Sequence, residues 1–111
     1  MNQTPIELGP FIAGEIPAPL SYSFTNADNE PLFIDSFVTK YQYKRLDGPG
    51  PVTVNATVDA NTTTHIWGEN EIAEPGIYEA VFWVSDQATR FASIPFIYRV
   101  KPAPGDVPDF V

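Results

Sequence analysis

Twelve prolines are scattered from Pro5 to Pro108 along 111 residues, and their spacing constrains the fold more than any other feature. Proline inside a helix removes a backbone donor and clashes with the preceding turn. Between the prolines, no window keeps a 3.6-residue apolar period long enough for a helix. Aromatic and β-branched residues fill the gaps, and seven glycines add further breaks. Short strands separated by turns are the expected result.

The strands can be placed by two-residue alternation. Residues 1–19 are proline-rich and read as an extended edge segment, because proline has no donor for an inner ladder. In Leu20 to Thr25, Leu20, Tyr22 and Phe24 share one face, with Ser21, Ser23 and Thr25 on the other. Asn26 to Asn29 forms a polar turn, and Pro31 to Asp35 pairs weakly. Phe37, Thr39, Tyr41 and Tyr43 then oppose Lys40, Gln42 and Lys44, and Asp47-Gly48-Pro49-Gly50-Pro51 turns the chain. From Val52 to Asp59, Val52, Val54, Ala56 and Val58 oppose Thr53, Asn55, Thr57 and Asp59. Thr62 to Trp67 is a further strand. Ile77 to Ser85 is apolar on both faces, so it is central or covered by a partner. Phe91 to Lys101 is the last strand, with a bulge or exposed edge at Pro95. Residues 102–111 form an extended tail with no place in a core. About seven strands over residues 20–101 predict an all-β, antiparallel β-sandwich with Greek-key connections.

A chain of this length hides roughly two-thirds of its unfolded surface and can fold without staples. It must do so, since it has no cysteine; neither a disulfide nor a thiolate metal site can form. The net charge of −8, with only six Lys and Arg, repels phosphate backbones and disfavours nucleic acid. No run approaches the roughly 20 apolar residues that span a bilayer. Residues 1–11 lack the basic start and apolar stretch of a secretory signal, so a soluble protein used where it is made is expected.

One motif sharpens the fold. In Glu74-Pro75-Gly76-Ile77-Tyr78-Glu79-Ala80, Pro75-Gly76 suits a turn, and a tyrosine follows at the second residue of the next strand. The spacing resembles the immunoglobulin pattern of acidic residue, Gly and Tyr before the second Cys. Glu74, Gly76 and Tyr78 match, and Ala80 stands for the cysteine. The resemblance implies an immunoglobulin-like sandwich closed by a tyrosine corner, in which the hydroxyl bonds upstream backbone. Over Val52 to Lys101 the layout is also similar to the small immunoglobulin-like domains of tailed-bacteriophage virions, such as the N-terminal domain of siphophage baseplate upper proteins. It shares with them the strand Val52 to Asp59, the aromatic in His65-Ile66-Trp67, the corner, and a last strand ending Ile97-Tyr98-Arg99-Val100. That likeness implies a non-enzymatic virion component of tail, baseplate or capsid, assembled in the host cytoplasm. It would be a stand-alone accessory held by other virion proteins or by copies of itself.

Material for catalysis is poor. His65 is the sole histidine and no nucleophile elbow accompanies it; an ordinary strand histidine with a partly wet ring is expected. One His and no Cys cannot make a zinc site. Glu69 and Glu71 beside Trp67 are a sugar-site cue, but a solvated loop is the simpler reading. Asp28, Asp59, Glu69 and Asp86 show no calcium-loop spacing. The sequons at Asn2, Asn55 and Asn61 fit chance in strands rich in Asn and Thr. No cofactor is expected.

Attachment would need apolar surface that the fold does not use. Val81 and Trp83, opposite the Tyr78 face, are the first candidates. Phe91 and Ile97, which share parity, would extend that patch, and Phe110 lies in the tail. The rival reading is a carbohydrate-binding or adhesin module of a bacterial surface protein, which requires Trp67 exposed beside the acidic loop.

Overall fold

The structure, a computed structural model, describes residues 4–110; the Asn2 of the first sequon and the extreme ends of both terminal segments lie outside the described residues. Nine strands form and no helix does among those residues, so none of their helices could cross a membrane. The strands are β1 (Ile6–Ile12), β2 (Leu20–Ser23), β3 (Val38–Arg45), β4 (Val52–Asn55), β5 (Thr57–Asp59), β6 (Thr62–His65), β7 (Gly76–Ser85), β8 (Arg90–Ala92) and β9 (Phe96–Lys101). A six-stranded sheet runs β1-β9-β7-β3-β4, with β8 paired to the end of β7; a three-stranded sheet runs β2-β6-β5. The two sheets lie face to face in a β-sandwich-like arrangement.

Alternation decides which side chains lie between them. On β7, Tyr78, Ala80, Phe82 and Val84 are buried, while Ile77, Val81 and Trp83 point outward. On β3, Thr39 and Tyr41 are buried and Lys40, Gln42 and Lys44 face out with β7's outer row. Rings from both sheets interlock: Tyr41 stacks on His65 with centroids 3.7 Å apart, and Tyr22 meets Phe96 edge-on at 5.9 Å. Two loop residues complete the core, since Ile34 and Ile72 are both fully buried.

Two expectations need correction. Nine strands form where seven were expected over residues 20–101: two of the expected strands each break in two, β1 adds one before residue 20, and Pro31 to Asp35 forms none. The Val52 to Asp59 run pairs with β3 as β4 and then, beyond Ala56, crosses to pair with β6 as β5. Val54, Ala56 and Val58 keep their common inward face through the crossing. The Phe91 to Lys101 run breaks at Ser93–Pro95 into β8 and β9. The buried Ser93 bridges that gap, its N–H donating to the Phe82 carbonyl at 2.9 Å and its Oγ accepting from the Phe82 N–H at 3.0 Å.

The sheets are also not purely antiparallel: β1 runs parallel to β9 at the edge of the large sheet. Nearly the whole chain separates these two strands, and a parallel pair needs such a long connection. Proline falls at this margin as expected. The β1–β9 register slips between Leu8 and Phe11, where Gly9 has φ +73° and a Cβ would come within 2.8 Å of the Phe11 nitrogen. Pro31 to Asp35 pairs weakly, as expected, through one bridge, Thr25 to Pro31; the segment inserts Ile34 into the core.

Candidate functional site

The corner is built as its spacing implies. Tyr78 Oη donates to the Glu74 carbonyl at 2.7 Å, and its ring stacks on Tyr98 at 5.1 Å with planes 3° apart. A hydrogen bond of this kind contributes about 1 kcal/mol and the ring pair about as much again. Burial pushes the Tyr78 phenol above its ordinary range, and Arg45 alongside opposes the shift. Pro75 and Gly76 depart from the expected turn: Gly76 is already the first residue of β7. Its φ is +152°, and a Cβ there would meet the Arg45 stem at 2.6 Å. Gly76 is needed so that Arg45 can lie across the backbone and reach Asp47, with Nε 3.2 Å from Oδ1.

His65 and Glu71 were expected to be wet and are not. His65 Nε2 lies 2.8 Å from Glu71 Oε2, and the two side chains are 3% and 8% exposed. Glu71 Oε1 also accepts from the Gly68 N–H at 3.1 Å, which folds the loop after β6 back over the histidine. Above the pair lie Tyr41 and Tyr98, whose phenols are held well above their usual range, chiefly by burial and in part by the Glu71 charge. The covering loop leaves the His65 and Glu71 side chains buried. Trp67 is buried too, its indole N–H donating to the Ala18 carbonyl at 3.0 Å. It therefore cannot serve as a sugar platform beside Glu69. Among the described residues no three His, Asp or Glu side chains group as metal ligands.

The outer face of the large sheet is where unused apolar area collects. Trp83 is 37% exposed and is held flat by an indole N–H bond to Gln42 Oε1 at 3.0 Å. Val81 sits beside it opposite Gln42, and Ile97 lies further across, opposite Glu79. Val38 and Ile77 are further exposed apolar side chains of this face. Phe91 does not join them. It pairs with the inward Val84 and packs against Phe24 at 5.4 Å and Phe37 at 5.9 Å. The break at Ser93–Pro95 shifts the parity, so Phe91 faces in while Ile97 faces out.

Sequence reading missed the charge on this face. Five of the six basic residues point from it: Lys40 and Lys44 on β3, Arg90 on β8, and Arg99 and Lys101 on β9. The sixth, Arg45, is tied up with Asp47 and Glu74. The signal was present in the strand parity, since Lys40, Lys44, Arg99 and Lys101 all sit at positions opposite to buried ones. Between the described residues no salt bridge engages these five.

Phe110 is 86% exposed and takes no part in the core. The tail before it folds against the turn after β1, with Val107 pressed close enough to Gly14 that a Cβ there would be 2.5 Å away. Compared with protein-family models, with characterised proteins and with solved structures, the chain matches none.

Proposed function

We propose that the protein is an immunoglobulin-like, non-enzymatic attachment module of a tailed-bacteriophage virion, a tail, baseplate or capsid-decorating accessory. The observation that carries the attachment role is the outer face of the large sheet. It presents Trp83, Val81 and Ile97 among five cations that no salt bridge engages between the described residues, with Glu7 and Glu79 on the same face, in a chain of net charge −8. A face that only had to be soluble would not need these apolar side chains, nor five of the chain's six basic residues. The immunoglobulin-like assignment is supported by the corner at Tyr78 and by the chain's crossing between sheets at Ala56. Its partners are other virion proteins, met through this face.

The test is mass spectrometry of gradient-purified particles from the strain that carries the gene, together with the identity of the flanking genes. The reading expects the chain in the particles at many copies and capsid, portal or tail genes alongside. A chain found only in the soluble lysate, among metabolic or cell-surface genes, contradicts it.

A further inference from the structure

We propose that copies of this protein assemble head to tail, the terminal segments of one copy seating in the hollow at the Trp83 end of the next. The inference rests on the attachment reading above and names a partner for the same face. The long strand β7 has ten residues, a span of about 30 Å at roughly 3.3 Å per residue, and its two ends carry different surfaces.

At the Ser85 end, Val38, Lys40, Trp83, Ser85 and Arg90 line a hollow of about 630 Å³. Val38 and Trp83 are its apolar walls, Ser36, Thr53 and Gln87 line the rest, and its charges are Lys40, Arg90 and Asp86. Asp86 Oδ1 accepts from the backbone N–H groups of Ala88 and Thr89 at 2.8 and 2.6 Å, and the two cations outnumber this one carboxylate. Lys40 leans on Asn55 and has no acidic partner.

At the Gly76 end the terminal segments add a patch lined by acidic side chains, beside the outward Arg99 and Lys101 of β9. Gly76 pairs with Val100, and Lys101 beside it pairs with Ile12, which brings the segment after β1 against the C-terminal tail. Ile12, Ile16, Val107 and Phe110 form an exposed apolar patch there. Its flanking charges are Glu15 and Asp106, and neither residues 12–19 nor 102–110 contain a Lys or Arg.

An apolar patch with acidic flanks at one end thus matches an apolar hollow with basic flanks at the other. Exposed aromatic side chains entering apolar hollows are the usual energetic anchors of interfaces, and Phe110 is the exposed aromatic at this end. Because the two surfaces differ and lie at opposite ends, the contact is heterologous and repeats from copy to copy into a ring or a filament. The net charge of −8 on each copy does not prevent this. At physiological salt, charges further apart than about 8 Å are largely screened, so the local pairs govern.

Sedimentation velocity of the full chain over a wide concentration range tests the proposal. The wild type should form species larger than a dimer as concentration rises. Phe110→Ala, which removes a side chain that the fold does not bury, should weaken association at least about 10-fold. The doubly reversed hollow, Lys40→Glu with Arg90→Glu, and the doubly reversed patch, Glu15→Lys with Asp106→Lys, should each be monomeric with a wild-type circular dichroism spectrum. Mixed together, they should associate again. A wild type that stays monomeric, a plain dimer insensitive to the patch variants, or wild-type association by Phe110→Ala overturns the contact. A monomer that is nevertheless present in particles loses the self-contact and keeps the virion role; a chain that polymerises but is missing from particles keeps the contact and loses the role.

Discussion

The two sheets turn very different surfaces to solvent. The small sheet shows hydroxyls: Ser21 and Ser23 on β2, Thr62 and Thr64 on β6, Thr57 on β5. Ser21 Oγ bonds Thr64 Oγ1, and Ser23 Oγ bonds Thr62 Oγ1, both at 2.9 Å. Asp59 is the only charge on its strands apart from the buried His65 when protonated. The large sheet shows an indole, aliphatic side chains, five cations and the carboxylates of Glu7 and Glu79. Both faces meet the same structural demand, which is to be wetted while the opposite side of each strand is buried. Hydroxyl pairs satisfy that demand alone; the large sheet's outer row goes beyond it, and the attachment proposed above rests on that excess.

Substitutions can break or sharpen that contrast. The largest effect is expected on the inward side of β7. Phe82→Ala leaves a cavity between the sheets and should cost about 3–5 kcal/mol in urea unfolding, whereas Trp83→Ala, one residue along and facing out, should cost about 1 kcal/mol or less. Equal losses would make the outer row structural.

Alkaline unfolding tests the inward phenols. Tyr41 and Tyr98 keep their protons in the folded state, their ionisation raised chiefly by burial, whereas in the unfolded chain they lose them near pH 10. Unfolding therefore releases protons above that pH. Stability should hold below about pH 10 and then fall by about 1.4 kcal/mol per pH unit for each such tyrosine, until the folded-state values are passed. A flat stability curve up to pH 11 would place these hydroxyls in water.

Tyr78→Phe should cost about 1–3 kcal/mol through the lost corner bond, read as a lower urea midpoint at unchanged slope. The smallest effect is expected on the small sheet. Ser21→Lys should stay within about 0.5 kcal/mol and should leave incorporation into particles unchanged; a loss of incorporation would move the attachment face to the wrong side of the molecule.

Much of this was legible from parity. The inward rows Leu20-Tyr22-Phe24, Thr39-Tyr41-Tyr43, Val54-Ala56-Val58 and Tyr78-Ala80-Phe82-Val84 all emerge from two-residue alternation, because each strand has one buried side. Ile34 and Ile72 were not legible, because loop residues carry no period. Phe91 was misassigned because parity was counted straight through Ser93–Pro95, where the strand breaks. The burial of His65 escaped for a similar reason: its cover, Glu71, reaches it from an irregular loop through a carboxylate bond that no spacing rule anticipates. The basic face needed both the strand positions and the sheet order, since Lys40, Arg90 and Arg99 are distant in sequence and come together only when β3, β8 and β9 flank β7.

The claim that matters most is that the outer row of β7 exists for a partner. Its direct test is competitive incorporation of Trp83→Ala against wild type into assembling particles, scored by peptide mass spectrometry with equal amounts of folded protein supplied. The variant should be depleted at least about 10-fold, as expected when an aromatic anchor is lost. Equal incorporation of the two would mean that this face attaches to nothing.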